Sequence, residues 1–326
     1  MTAADAAVAG HAPALGVRDR LLSGLLLAGA RGLQLLPDSA VYRVAAAIGT
    51  LCWLAMPARR ALVRDNLGRV CRWLDERGLG SGPVRAAARD RGALDRLVRS
   101  AFQHWVRTYA ESAVAPRYDA EALRRLVTLE TPEVAAEALD PDAGDRRGRI
   151  FVGFHFGSVE LAALYAARVG RLPVAGPMES VEHPALRAYF ERTRRKLGIG
   201  ILPLDDAARE LTERLGRGEA VALVADRAVR GGGVRVDLFG APARLPIGPA
   251  ALAAESGAAA YVVAMWRTGW SHWVARLDPL DGGESESRRD RLRQVLEQEA
   301  RLLERTVARA PEQWWSLFFP IWERPS

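Results

Sequence analysis

Residues 149–161 read Arg149-Ile150-Phe151-Val152-Gly153-Phe154-His155-Phe156-Gly157-Ser158-Val159-Glu160-Leu161, a run that changes character halfway. Its first half is apolar, β-branched and aromatic, which predicts a buried strand. A histidine, a glycine and a serine follow. The pattern then becomes helical, with Glu160 in the first turn and Leu161-Ala162-Ala163-Leu164-Tyr165 continuing it. Strand, turn and helix in this order are the unit of an α/β fold, and a base sits at the turn.

His155 and Glu160 are five residues apart. On one continuous helix that spacing would turn them about 140° away from each other. They can meet only if His155 lies in the turn ahead of the helix. From there Glu160 is expected to accept a hydrogen bond from one ring nitrogen while the other takes a proton from a bound alcohol. Backbone N–H groups around Gly157–Val159 are expected to face negative charge developing on an attacked carbonyl. The plainer alternative is a structural histidine at a strand end.

Outward from this unit, strand-like segments fall at Leu172–Ala175, Ile199–Leu202, Ala220–Ala225, Val234–Leu238, Ala259–Trp266 and Trp273–Leu277. Helical ones fall at Val159–Val169, Ala185–Leu197, Ala207–Arg217, Pro249–Ser256 and Ser287–Arg309. The alternation predicts an α/β fold with a mixed, largely parallel central sheet covered by helices over residues 149–326. Gly231-Gly232-Gly233 matches neither a dinucleotide nor a P-loop fingerprint and is expected to be a flexible hairpin turn.

Residues 1–148 are expected to be helical, forming one integrated catalytic unit with the rest. Residues 1–17 read as a loose terminus without the pattern of a secretory signal. Apolar helices are predicted over Arg18–Leu36 and Ala40–Met56. Val44 to Met56 is thirteen residues without a charge, short of the ~20 that span a bilayer. The pair, residues 18–56, is therefore expected to dip into one leaflet as a monotopic anchor, with Trp53 and Arg59-Arg60 at headgroup level. A buried hairpin is the alternative. Leu94–Ala113 is a helix with Phe102, Trp105 and Tyr109 as a core stripe, and His104 beside it reads as structural. Tyr118–Leu129 is expected to be a short helix and Asp140–Gly148 a polar loop.

The 326 residues carry 46 basic and 39 acidic side chains, a net charge of +7, with Lys196 the single lysine. Such an arginine excess suits phosphate or an anionic surface, and it also suits a G+C-rich genome. Two cysteines, Cys52 and Cys71, build neither a disulfide framework nor a zinc site, so no metal is expected. Asp226, with Arg227 beside it, ends the strand Ala220–Ala225, the place where α/β sheets gather ligands; a surface ion pair at a strand-end turn is the alternative. Arg194-Arg195-Lys196 closes a helix, as ordinary dipole complementation also would. Arg244-Leu-Pro-Ile-Gly-Pro leads into a helix whose first turn can dock a phosphate or carbonyl oxygen. Ser158 adjoins His155, but Gly-Ser-Val is not a nucleophile elbow. The block Trp314–Trp322 is expected to seal the core.

His155-Phe-Gly-Ser-Val-Glu160 resembles the H-x4-D/E motif of glycerolipid acyltransferases, in the Glu form of the late acyltransferases of lipid A biosynthesis and the phosphatidylinositol mannoside acyltransferases. The resemblance extends, in order, through Arg64-Asp65-Asn66-Leu67, Ala101-Phe102-Gln103-His104-Trp105 with Glu111, Ala225-Asp226-Arg227, Phe239-Gly240, Pro246-Ile247-Gly248-Pro249-Ala250 and Pro311-Glu312-Gln313-Trp314-Trp315. It implies His155 and Glu160 as catalytic residues. It implies that Asp226 contacts the acceptor or supports the histidine, that Arg227 shares its block, and that an arginine of the 185–197 helix binds substrate or phosphate. Arg194 fits that last position best, with Arg187 and Arg192 as alternatives; Arg244 and Ser158 complete the expected substrate contacts.

The function so implied is transfer of a fatty acyl chain from acyl-CoA or acyl carrier protein to a hydroxyl of a glycolipid, at the cytoplasmic face of the cell membrane. No cofactor beyond the thioester co-substrate is expected, and no nucleic acid. The block from Ala225 to Gly240 is closer to the mannoside enzymes than to the lipid A enzymes, although Ala228 stands where those relatives carry a second acidic residue. The alternatives are a lipid A late acyltransferase, a thioester hydrolase, or a non-catalytic protein that binds lipid or polyanions.

Overall fold

The computed structural model describes residues 16–140, 148–177, 183–202, 207–228 and 232–323. The chain opens with α1 (Val17–Leu35), α2 (Asp38–Ala55), α3 (Pro57–Glu76), α4 (Gly82–Arg89) and α5 (Arg91–Val114). Then come α6 (Ala120–Leu126), β1 (Val127–Leu129) and α7 (Pro132–Leu139). Helix α5 starts where Asp90 accepts the N–H of Ala93, and α6 where Asp119 accepts that of Ala122. Helices α2 and α3 meet at a bend of 101° around Met56, with Pro57 at the first position of α3. Val41, Tyr42, Ala45 and Gly49 bury one face of α2. Gly49 is required there: a Cβ would lie 2.6 Å from the Cα of Gln103 on α5. The opposite face carries Val44, Ile48, Leu51 and Leu54, all exposed.

The remaining elements are β2 (Arg149–Gly153), α8 (Val159–Arg168), β3 (Val174–Pro177), α9 (Pro184–Lys196), β4 (Ile199–Leu202), α10 (Ala207–Gly216), β5 (Ala220–Val224), β6 (Val234–Leu238), β7 (Ala241–Leu245), α11 (Ile247–Glu255), β8 (Ala259–Arg267), β9 (Trp273–Pro279) and α12 (Arg288–Val307). The main sheet has seven strands in the order β1-β9-β8-β2-β5-β3-β4. Every neighbouring pair is parallel except β8 with β9, so the fold is the mixed, largely parallel α/β sheet expected. Alternation along β2 sorts the two faces. Ile150 and Val152 join the leucines of α10 and α12 in the larger core, while Phe151 packs with α7 and α8 residues on the other side.

Three expectations change. The helix expected to reach Leu129 stops at Leu126, because Val127-Thr128-Leu129 pairs with β9 and forms the sheet edge. The division at Arg149 thus cuts through the sheet. The runs on either side of Gly231–Gly233 are not a hairpin: β5 is in the main sheet and β6 pairs with β7 in a separate ribbon. The hairpin lies one step later, where Phe239 and Gly240, with φ of 51° and 70°, turn β6 into β7. Gly231 itself, most of the Asp140–Gly148 loop and nearly all of residues 1–17 lie outside the described residues.

Candidate active site

The sheet register builds the site. Parallel pairing sets Gly153 of β2 opposite Val224 of β5, and the Ala225 N–H continues the ladder to the Gly153 carbonyl at 2.9 Å. Two residues on, at the carboxyl ends of both strands, His155 faces Asp226. Oδ1 of Asp226 lies 2.8 Å from His155 Nδ1 and accepts the His155 backbone N–H at 2.9 Å. Oδ2 accepts Trp314 Nε1–H and Ser316 Oγ–H, each at 2.7 Å. Burial pushes the Asp226 carboxyl upward, but the His155 imidazole and these donors outweigh it and hold it down to about 2. An ionised carboxylate on Nδ1 fixes the tautomer with its lone pair on Nε2, which has no partner among the described residues. Trp315 packs edge-on to the imidazole with ring centroids 4.5 Å apart, and its backbone N–H bonds the His155 carbonyl.

The partner of His155 is therefore Asp226, not Glu160. Gly157, at φ 57°, reverses the chain before α8 begins, and Glu160 emerges on the side facing α9. There Oε1 of Glu160 accepts Nε and Nη2 of Arg194 at 2.9 and 2.5 Å. Arg194 is thus the α9 arginine that meets Glu160, while Arg192 is exposed. Two of the amides expected to face an oxyanion are occupied: Gly157 N–H bonds the Gln313 carbonyl at 3.0 Å and Ser158 N–H that of Met265 at 2.8 Å. Ser158 lies beneath the turn, buried, with its hydroxyl donated to Glu111 at 2.7 Å, so it contacts neither His155 nor the cleft.

Arg227 sets its guanidinium 4.2 Å from the Phe319 ring centre. Arg244 bonds Glu323 at 2.9 Å and the Gly233 carbonyl at 3.1 Å. Both border a cavity of about 190 Å³, of mixed polar and apolar lining, that also touches Asp226 and Ser316. At His104, burial, then Arg267 and Arg107, push the imidazole well below its ordinary range and keep it neutral.

A second cavity, about 140 Å³ and largely apolar, lies between α8 and the sheet. Phe154 and Phe156, on either side of His155, border it, and so do Glu160 and Arg194. Small residues on five of the strands, Gly153, Gly176, Gly200, Ala222 and Ala275, make room for it beneath α8. Sequence inspection does not find this space, because its lining comes from all seven strands of the main sheet. It also misses Glu111, Arg267 and Gln313 as site residues, since their partners are 46 residues or more away. The one local signal is a charge, Arg267, ending a strand whose other residues are apolar.

Among proteins of known function, the chain is similar to the phosphatidylinositol mannoside acyltransferase of Mycolicibacterium smegmatis, 31% identical over 189 residues. That match covers 57% of this chain and 60% of the relative, so it spans about three fifths of that protein's length. The enzyme of the same name from Mycobacterium tuberculosis H37Rv is 29% identical over 267 residues, covering 76% of this chain and 83% of the relative. A solved structure, the 1-acyl-sn-glycerophosphate acyltransferase of Thermotoga maritima, aligns at 15% identity with a TM-score of 0.35, over 76% of this chain and 97% of that one. The sequence profile described as bacterial lipid A biosynthesis acyltransferase matches residues 12–322, nearly the whole length. With that match, and the histidine–carboxylate pair at the ends of β2 and β5, the chain belongs to the bacterial lipid A biosynthesis acyltransferase family.

Proposed function

We propose that this acyltransferase moves a fatty acyl chain from a thioester, acyl-CoA or acyl carrier protein, to a hydroxyl of a glycolipid of the phosphatidylinositol mannoside kind. The His155–Asp226 pair carries this reading. Nε2 of His155 takes the proton of the acceptor hydroxyl as its oxygen attacks the thioester carbonyl. Asp226, ionised and held by donors at both oxygens, stabilises the imidazolium that results. When the tetrahedral intermediate collapses, the C–S bond breaks and the imidazolium returns its proton to the leaving thiolate. The alcohol attacks directly, so no serine or cysteine nucleophile is called for, and the buried Ser158 agrees with that.

The apolar cavity beside the turn suits an acyl chain, with its carbonyl near His155 and its methylenes under α8. The mixed cavity beside Asp226, bordered by Arg227 and Arg244, suits the sugar or phosphate of the second substrate. The mannoside relatives favour a glycolipid acceptor. The exposed stripe Val44, Ile48, Leu51 and Leu54, with Leu21, Leu25 and Leu35 of α1, supports docking on a membrane surface at the cytoplasmic leaflet. Among the described residues no single helix is long and apolar enough to cross a bilayer.

The test is incubation of the purified protein with radiolabelled palmitoyl-CoA, or in parallel palmitoyl carrier protein, and a mixed bacterial glycolipid extract. Label is expected in glycolipid with the wild type, and His155→Ala should lose activity by about 10³-fold. Release of free fatty acid at the same rate with no acceptor present would instead make the protein a thioester hydrolase.

A further inference from the structure

We propose that the buried Glu111–Arg267 ion pair is a positioning device for acyl transfer, holding the 155–158 turn so that His155 stays on Asp226. The proposal rests on the reading that His155 is the base. Arg267 donates from Nε to Glu111 Oε1 at 2.5 Å and from Nη2 to Glu111 Oε2 at 2.7 Å. Both residues are almost wholly buried, at 6% and 1% exposure. The same pair reaches the turn twice. Nη2 of Arg267 donates to the Gly157 carbonyl at 3.0 Å, and Oε2 of Glu111 accepts the Ser158 hydroxyl at 2.7 Å.

It also reaches the segment on the far side of the dyad. Nη1 of Arg267 donates to Gln313 Oε1 at 3.4 Å, beside two main-chain bonds of residue 267, its N–H to Oε1 at 3.0 Å and Gln313 Nε2–H to its carbonyl at 2.9 Å. The Gln313 carbonyl in turn accepts the Gly157 N–H at 3.0 Å. One, two and three residues beyond Gln313 stand Trp314, which bonds Asp226, Trp315, which bonds the His155 carbonyl, and Ser316, which bonds Asp226. One buried ion pair thus ties the base's turn to the segment that holds the base's counterion. Gly157 lets the turn come this close, since a Cβ there would sit 2.0 Å from the Met265 carbonyl oxygen.

Stability alone does not account for such a pair. Replacing a buried ion pair by apolar residues of similar volume is often neutral or stabilising, because both charges lose their hydration on burial. Apolar residues could fill the volume under the turn; they could not bond Gly157 and Ser158. The geometry of these bonds is what a charged, multiply hydrogen-bonding pair supplies.

The experiment compares Glu111→Leu/Arg267→Met, Ser158→Ala and His155→Ala with the wild type, by thermal unfolding, kcat and KM with palmitoyl-CoA, and the pH profile of kcat/KM. The double variant should fold with a midpoint near or above that of the wild type. Its kcat is expected to fall about 100-fold, as for a misplacement of about 1 Å, with KM within about threefold. The acid limb of its pH profile should move to lower pH as the imidazole loses its carboxylate. Ser158→Ala, which keeps the ion pair and cuts one tie to the turn, should show the same changes in smaller measure, and it decides the matter if the double variant does not fold. A folded double variant, or failing that a folded Ser158→Ala, with wild-type kcat and an unmoved pH profile overturns the proposal. If His155→Ala also transfers at the wild-type rate, the underlying reading of the site fails with it; if His155→Ala is inactive, only the positioning role falls.

Discussion

Asp226, at the end of β5, and Glu299, on the inner face of α12, are both shut away from solvent, and their surroundings drive them in opposite directions. Asp226 receives donors from the His155 backbone, the Trp314 indole and the Ser316 hydroxyl besides the imidazole, and its carboxyl is held at about 2. Glu299, at 0% exposure, has no partner for either oxygen among the described residues, and burial alone pushes it up to about 8. Burial by itself penalises the charged form of both; donors aimed at the oxygens decide which of them stays ionised. His155 is thus paired with the carboxylate that the fold has surrounded with donors.

The largest expected effect comes from breaking the Asp226 side. Asp226→Asn keeps the shape and removes the charge; kcat should fall by about 10³- to 10⁴-fold, as when the acid of a histidine–acid pair is neutralised. Glu160→Gln, which loses the partly exposed Arg194 pair, should cost about tenfold, the scale of a half-exposed ion pair. Steady-state kinetics on both variants checks the contrast. Equal losses would mean that Glu160 takes over as the partner of His155 in the reacting complex.

The Glu299 side predicts a stability effect with a definite sign. The folded Glu299 carboxyl titrates near 8 against an ordinary 4.5, so between those pH values the folded state holds a proton that the unfolded state has released. Stability contributed by the neutral form is fully present below about 4.5 and declines as pH rises toward about 8. Glu299→Gln should remove this slope and be more stable than the wild type by a few kcal/mol at about pH 8, while the two converge at about pH 4.5. Urea unfolding across that range measures it. A pH-independent difference would place an undetected donor on Glu299. The smallest effect is one of selectivity: Gly153→Leu projects into the apolar cavity, where a Cβ meets nothing nearer than the Leu223 carbonyl oxygen at 3.8 Å. Preference among acyl thioesters should shift toward shorter chains by about tenfold, read from competition between donors of different length.

Much of this was legible in local pattern. The strand, turn and helix of 149–161 fall within a residue of the segments expected, because apolar runs and helical spacing are short-range signals. Two strands were not legible. Val127-Thr128-Leu129 is three residues long, and Ala241-Pro242-Ala243-Arg244-Leu245 carries a proline and two alanines, which are poor strand formers; pairing with β9 and β6 overrides both. In the site, His155 was legible from its place at a strand end, and Asp226 from the same rule. The error over Glu160 arose because five-residue proximity in sequence is weaker than adjacency of two parallel strands, which only the strand order β2-β5 reveals. Glu111 and Arg267 are 156 residues apart, and the one local mark of the pair is the arginine that ends the apolar β8.

Strand β5 slots between β2 and β3 although the chain makes β3 and β4 first, and 71 residues separate the two members of the dyad. A nascent chain that has emerged only as far as α10 carries the imidazole but not its counterion, and the indole and hydroxyl that secure that counterion emerge later still. The pair is consequently a late product of folding, complete only once β5 and the 314–316 segment have both closed around the sheet.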